Sequence, residues 1–469
     1  MGELFGWLMR LFGGRPAAPL VVAAPPATVV VPAADSTAAP SAAVRPAAPP
    51  DDIAVDKDDA AAPLLCRTEV LDRDQCPLGY AFELREDLAG RIRAPGRRAR
   101  DFVNGLLVEQ LAHYRHGATL RNRDLCIRVW DGFLAQPVLE RLVGLHVALL
   151  VQPENPARAA GGETIAHARR LRGLGMRIAL DHNDPGPWLE SLLPVADAAV
   201  FRMGFCVPEE VSLFACAIAR RQPDVAVWVW DVGTHDDFEL ARSAGCSAFA
   251  GGFVTRRDDW KGNSLSPHGA RLASLLDRLH RGVETQEIAQ ILKHDLALAY
   301  RLLRYVNAAG WGLNHHITSV EQAVVLLGRE PLQRWVSMML LGSARGVPGA
   351  GAVLEVALTR ARFLELLGAL RGERDPAAQL FVLGLFSLLD VALKVPIEDA
   401  IRPLKLSAAM RDAILDRRGP MAPYLELALA LEQGDAQRVT SFADVLGVEP
   451  GELTRLQFEA LDWVQVAEA

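Results

Sequence analysis

Between residues 64 and 254, eight short β-like runs alternate with stretches of helical pattern, and no other feature limits the fold as tightly. The runs are "LLCRTEV" (64–70), "LGYAFEL" (78–84), "LCIRVW" (125–130), "HVALLVQ" (146–152), "MRIALD" (176–181), "AAVFRM" (198–203), "VAVWVWDV" (225–232) and "SAFAGGFV" (247–254). Helical segments such as "GGETIAHARRLRGLG" (161–175) and "HDDFELARSAGC" (235–246) lie between them. A helix between successive strands makes those strands parallel, because the chain must cross back over the sheet. Eight such strands suggest a closed barrel. The first two runs are joined only by "LDRDQCP", too short for a helical crossover, so they should pair antiparallel. The expected unit over residues 64–262 is therefore a modified (β/α)8 barrel.

From about residue 265 the β signals nearly vanish. "TQEIAQILKHDLALAYRLLRYVN" carries Ile288, Ile291, Leu292, Leu298, Leu302 and Val306 at helical spacing. "SVEQAVVLLG" offers a capping box, Ser319 to Gln322, with Gly328 as a stop and Pro331 at the start of the next helix. Residues 352–370, 375–395 and 423–434 continue in that style, so 265–469 is expected as an all-helical second domain. The fold class is α/β plus all-α.

The chain before the barrel divides in two. Residues 13–63 are rich in Ala, Pro and Val and read as a disordered linker. Residues 1–12 are apolar, with Leu4, Leu8 and Leu11 on one helical face, a pattern that suits a membrane surface, a docking partner or a frayed tail. No apolar run approaches the ~20 residues that span a bilayer. The net charge of −7 argues against general nucleic-acid binding, and the Arg-rich 91–101 stretch lacks interleaved aromatics. Six cysteines without a C-x-x-C pair read as reduced thiols. The expectation is a cytoplasmic protein with peripheral contact at the inner membrane through residues 1–12.

The stretch "RIALDHNDPGPW" (177–188) gathers two carboxylates and an imidazole where a strand ends, the place where barrel enzymes keep their chemistry. The frame around it, "LGYAFELR", "LRGLGMRIALD" and "AGGF", resembles the EAL domain, whose active members cleave cyclic di-GMP. "LLRYVNAAGWGLNHHITSVEQAVVLLGREPLQRWV" (302–336), "ALTRARFLELL" (357–367) and "LGLFSLLDVAL" (383–393) resemble the HDOD domain. Together they are similar to bacterial signalling proteins that join a degenerate EAL domain to an HDOD domain.

The resemblance implies a metal-binding pocket and shows what stands at its positions. The Glu of the E-A-L signature falls on Ala81, the metal-binding Asn on Arg128, and the Glu of E-x-T-E on Leu149. The paired aspartates fall on Asp181 and His182, and the Lys and Asp of K-x-D on Val200 and Arg202. The two Glu residues of A-E-G-V-E fall on Trp230 and Gly233, and the Gln before the last glycine on Ala250. Active members hold two divalent cations, which want several hard oxygen ligands. Only Asp181 survives as a ligand at its place, so the pocket is expected to be vestigial. Asp181 should pair with Arg128 or Arg202, and Trp230 should stack on a base or plug the hole.

Two other clusters carry groups that could serve chemistry. His294-Asp295 resembles the HD pair of metal phosphohydrolases, but no matching Asp completes a set, and Asp295 reads as a helix start. The loop "NAAGWGLNHHITS" (307–319) reads as a turn between helices, or as a partner-binding surface through Trp311, His315 and His316.

The functional expectation is a non-catalytic signal-transduction adaptor, not an enzyme, with no cofactor and no metal. It would act through protein–protein contacts with other signalling proteins. One alternative is a non-hydrolysing receptor for cyclic di-GMP or another anion, with Asp181, Arg128 and Arg202 in the ligand site, since Arg suits phosphate bidentately. A second is a weak cyclic di-GMP phosphodiesterase.

Overall fold

The structure is a computed structural model that describes residues 65–84 and 97–468, apart from 206, 259, 261–263, 308–316, 345–348, 373 and 405. The apolar segment 1–12, the linker 13–63, and Trp311, His315 and His316 lie outside the described residues.

The eight runs form eight strands of one closed barrel: β1 (Leu65–Leu71), β2 (Pro77–Leu84), β3 (Asp124–Trp130), β4 (Val147–Gln152), β5 (Arg177–Asp181), β6 (Ala198–Arg202), β7 (Ala226–Trp230) and β8 (Ala248–Ala250). β1 runs antiparallel to both β2 and β8, and every other neighbouring pair is parallel. The β1–β2 turn explains the exception. Asp72 Oδ1 accepts from the Asp74 and Cys76 amides, both at 2.8 Å, and Gln75 takes φ +59°. An Asp side chain that bonds its own turn in this way reverses the chain without a crossover.

Alternation along each strand sorts side chains between two compartments. Ala81, Cys126, Ala148, Leu150, Ala179, Ala198, Val200, Ala248 and Ala250 face the bore. These small residues leave room that Trp228 and Trp230 fill, stacked with ring centroids 5.9 Å apart. Their neighbours Ile127, Leu149, Ile178, Val229 and Phe249 point the other way, into the layer beneath the helices. The last run makes a shorter strand than its apolar pattern suggests. At Gly251, φ is +154°, and a Cβ there would meet the Val232 carbonyl oxygen at 2.3 Å, so the chain leaves the sheet and Gly252–Thr255 forms a 3-10 turn.

After the barrel the chain is helical throughout its described residues, from Pro267–His280 to Pro450–Glu468. Ser319 Oγ accepts from the Gln322 amide at 3.2 Å, and Gly328 (φ +72°) ends that helix. The next helix begins at Arg329, which puts Pro331 at its third residue instead of its first. Helices Ala350–Leu370 and Arg374–Phe386 form the centre of this half. They pack so closely that a Cβ on Gly384 would lie 2.6 Å from the Ala361 Cα.

The two halves share one apolar core. Helix Pro450–Glu468 returns to the barrel, where the Phe458 ring stacks between Phe82 (5.8 Å) and Tyr114 (4.1 Å). Asp462 Oδ1 accepts from the Thr119 amide at 2.9 Å. Glu355 of the helical half is buried and fully bonded to barrel and C-terminal groups. It accepts from Tyr80 Oη, from Arg123 Nη2 at 3.2 Å and from Gln465 Nε2 at 3.1 Å. Burial, with the Glu355 carboxylate beside it, holds the Tyr80 phenol well above its ordinary pKa. No helix among the described residues is long and apolar enough to cross a membrane.

Candidate functional site

The parallel strands end at one mouth of the barrel, and there the charged residues of the strands converge. Asp181 ends β5 and pairs in register with Val200 of β6, and Arg202 ends β6 two residues further on, on the same face, from where its side chain reaches back to Asp181. Arg202 Nε donates to Asp181 Oδ1 at 2.8 Å and its Nη2 to Oδ2 at 2.9 Å, a two-pronged pair in which the carboxylate is fully enclosed. The Arg202 Nη1 reaches Asp231 at 3.1 Å. Asn183 fixes the arginine's backbone, accepting from the Arg202 amide at 2.7 Å and donating to its carbonyl at 2.9 Å. Arg128 on β3 brings its Nε within 3.2 Å of Asp181 Oδ2, an ion pair without hydrogen-bond alignment, and its Nη2 within 3.4 Å of Glu83. Gln152 Nε2 contacts Asp181 Oδ2 at 3.4 Å.

Burial drives the Asp181 carboxyl up to about 7, opposed by Arg128 and reinforced by the like charges of Glu83 and Asp231. Burial likewise raises Asp231, against the pull of Arg128.

The remaining positions separate. Ala81, Val200, Trp230 and Ala250 line the bore, and the Trp230 Nε1 is buried there without a hydrogen-bond partner among the described residues. His182 turns away from the cluster, edge-on to Trp188 at 6.3 Å, and burial lowers its pKa. Gly233 lies beyond β7 and accepts from Arg256 Nη1 at 3.1 Å.

Leu149 requires a correction. It faces the helix layer, so it cannot contribute to the mouth, and the residue of that strand that does is Gln152. The cause is the two-residue period: an odd shift along a strand moves a side chain to the opposite face. Sequence reasoning also missed Glu83 and Asn183. Asp231, just past β7 with a left-handed backbone (φ +60°), also joins the cluster through Arg202. Away from the mouth, Asp295 caps a helix, its Oδ1 accepting from the Ala297 and Leu298 amides at 3.1 Å.

The donor set does not fit a pair of divalent cations. Both Asp181 oxygens are taken by Arg202, Ala81 and Val200 offer none, and a second guanidinium, that of Arg128, lies against the same carboxylate. No group of three His, Cys, Asp or Glu residues suited to a metal occurs among the described residues.

A cavity of about 690 Å³ opens beside this cluster, between the barrel mouth and the helical half. Ala81, Glu83, Trp230, Asp231 and Gly251 wall it on the barrel side, and Val356, Arg360, Ser387, Arg417 and Glu432 on the other. Arg67 and Arg257 complete its basic lining, while Arg128 and Arg202 are committed to Asp181 and to the wall carboxylates Glu83 and Asp231.

In comparison with known proteins, the HDOD domain family matches residues 270–401. Cyclic di-GMP phosphodiesterase CdgJ of Vibrio cholerae is 29% identical over 301 residues, covering 63% of this chain and 69% of the relative. The uncharacterized protein YuxH of Bacillus subtilis is 27% identical over 235 residues, covering 50% of this chain and 57% of its own length. A solved standalone EAL protein from Vibrio cholerae in its c-di-GMP bound form overlaps 41% of this chain and 90% of its own, at 13% identity and a TM-score of 0.33. The chain thus carries an HDOD domain behind a modified eight-stranded barrel.

The expectation that the chain is not an enzyme is overturned by the relative named a phosphodiesterase.

Proposed function

We propose that this protein acts in cyclic di-GMP signalling. The barrel mouth takes the dinucleotide in the cavity roofed by the HDOD domain, which responds to its presence and passes the state to other signalling proteins. The observation that carries this reading is the cavity itself. Its volume of about 690 Å³ lies in the range of small-molecule sites, and it sits at the strand ends where barrels bind ligands. Its walls come from both halves, so an occupant touches both. Four arginines line it, and guanidinium is the side chain best shaped for phosphodiester oxygens. The similarity to a relative named a cyclic di-GMP phosphodiesterase points to the same nucleotide. On the HDOD surface, Leu296 and Val325 are 84% and 71% exposed, which supports an output through protein contacts.

Equilibrium dialysis of the full chain against cyclic di-GMP, with and without Mg²⁺, tests the reading. Chromatography of the same samples follows linear product. The expected result is saturable binding, competed by excess unlabelled nucleotide. No retention of nucleotide under either condition would overturn the proposal.

A further inference from the structure

We infer that Arg417, together with Arg360 and Arg257, forms an anion site in the wall of the cavity, suited to a phosphate or phosphodiester group. The inference rests on the proposed function only for the cavity being a ligand site; the arginines argue for the class of ligand.

The three guanidinium groups are partnered unequally. Arg360 is bonded bidentately to Glu432 at 2.7 and 2.6 Å, and its Nη1 donates to Ser387 Oγ at 2.6 Å. Arg257 pairs with Asp390 at 2.6 Å and donates to the Ser387 carbonyl at 3.0 Å. Among the described residues Arg417 makes a loose ion pair with Glu426, at 3.6 Å, and that carboxylate also serves Arg438. Among the described residues the buried Arg417 Nη1 has no hydrogen-bond partner, although the side chain as a whole is 30% exposed. A buried charged donor left in that state is costly, and a charged acceptor relieves it. Burial and the like charges of Arg257 and Arg360 lower the Arg417 pKa, against Glu426 and Asp390. The acidic groups on the cavity wall do not meet the need: Glu432 is committed to Arg360 and Glu69 to Arg67, while Glu83 and Asp231 lie on the barrel side.

The backbone gives a second, independent indication. Arg417 adopts φ +57° just past helix Ala408–Leu415, where the Arg418 amide bonds back to the Asp412 carbonyl at 3.2 Å. Such a helix end favours Gly, because any Cβ is strained there. An arginine that carries both backbone strain and an unpaired donor, beside two more arginines and a cavity, is placed for something the free protein does not contain.

The test is binding of inorganic pyrophosphate and of cyclic di-GMP, by calorimetry on the full chain, to wild type, Arg417→Gly and Arg417→Lys. Arg417→Gly removes the guanidinium and the strain together, so its thermal midpoint should not fall. Pyrophosphate should bind wild type and lose about tenfold or more in affinity in Arg417→Gly, as expected for a charged hydrogen bond. Arg417→Lys should fall between, and it carries the comparison if Arg417→Gly melts earlier. No pyrophosphate binding to wild type, or equal binding to all three, overturns the anion site. Cyclic di-GMP binding that persists in that case leaves the proposed function standing. Pyrophosphate binding through Arg417 without cyclic di-GMP binding supports the anion site and removes the proposed nucleotide.

Discussion

At the scale of the residue, Asp181 shows how a carboxylate persists at a buried strand end. Its side chain is fully enclosed, and two guanidinium groups supply the positive charge it needs. Removing it by Asp181→Ala leaves Arg202, itself 9% exposed, with Asp231 as its remaining close partner. That variant should lose about 3 kcal/mol, the lower end for breaking a buried pair, as read by urea denaturation. A loss below about 0.5 kcal/mol would mean that water reaches the pair. The carboxyl also sets a pH dependence. Its folded pKa of about 7 exceeds its ordinary 3.8, so between these values the folded chain holds more protons than the unfolded one. Stability from this group therefore falls as pH rises through that window. Asp181→Asn should flatten the decline in thermal midpoint between pH 4 and 7, and parallel curves for the two proteins would count against the raised pKa. The strand-end position of Asp181 was readable from the sequence. Gln152 was not, because placing it needs the pleat register, and Asp231 was not, because it lies just past β7 with a left-handed backbone.

At the scale of the element, the barrel strands were legible because alternation and flanking helices leave few other folds. Short runs ended by glycines were less so: "SAFAGGFV" yields only the three residues Ala248–Ala250, since Gly251 must approach the Val232 carbonyl. The return of helix Pro450–Glu468 to the barrel was not legible at all, because its apolar face looks the same whichever surface it covers. Phe458, buried between Phe82 and Tyr114, makes that contact. Phe458→Ala should cost about 3–5 kcal/mol by denaturant titration, the range for emptying a buried aromatic site. A loss below about 1 kcal/mol would show that the helix does not depend on this stack.

At the scale of the whole molecule, the two halves share a buried polar network centred on Glu355 and one continuous apolar core. Such continuity should make barrel and helices melt together. Thiol labelling can follow this. Cys126 and Cys246 are buried, one in the bore and one under the barrel helices, and burial pushes both thiols up to about 12. Neither should react with iodoacetamide at pH 8 in the native chain, and both should become reactive at the same denaturant concentration as the loss of helical signal. Earlier exposure of the two would separate the barrel from the helices as a folding unit.

The cavity between the halves turns occupancy into adhesion. A molecule that touches both walls contributes its binding free energy to keeping them closed, by RT ln(1 + [L]/Kd), about 2.7 kcal/mol at a hundredfold excess over Kd. Prying the walls apart and releasing the occupant then become one event, and any partner that inserts at the seam competes with the ligand without touching its site. Reciprocity follows: whatever loosens the seam by a given factor weakens the ligand by the same factor.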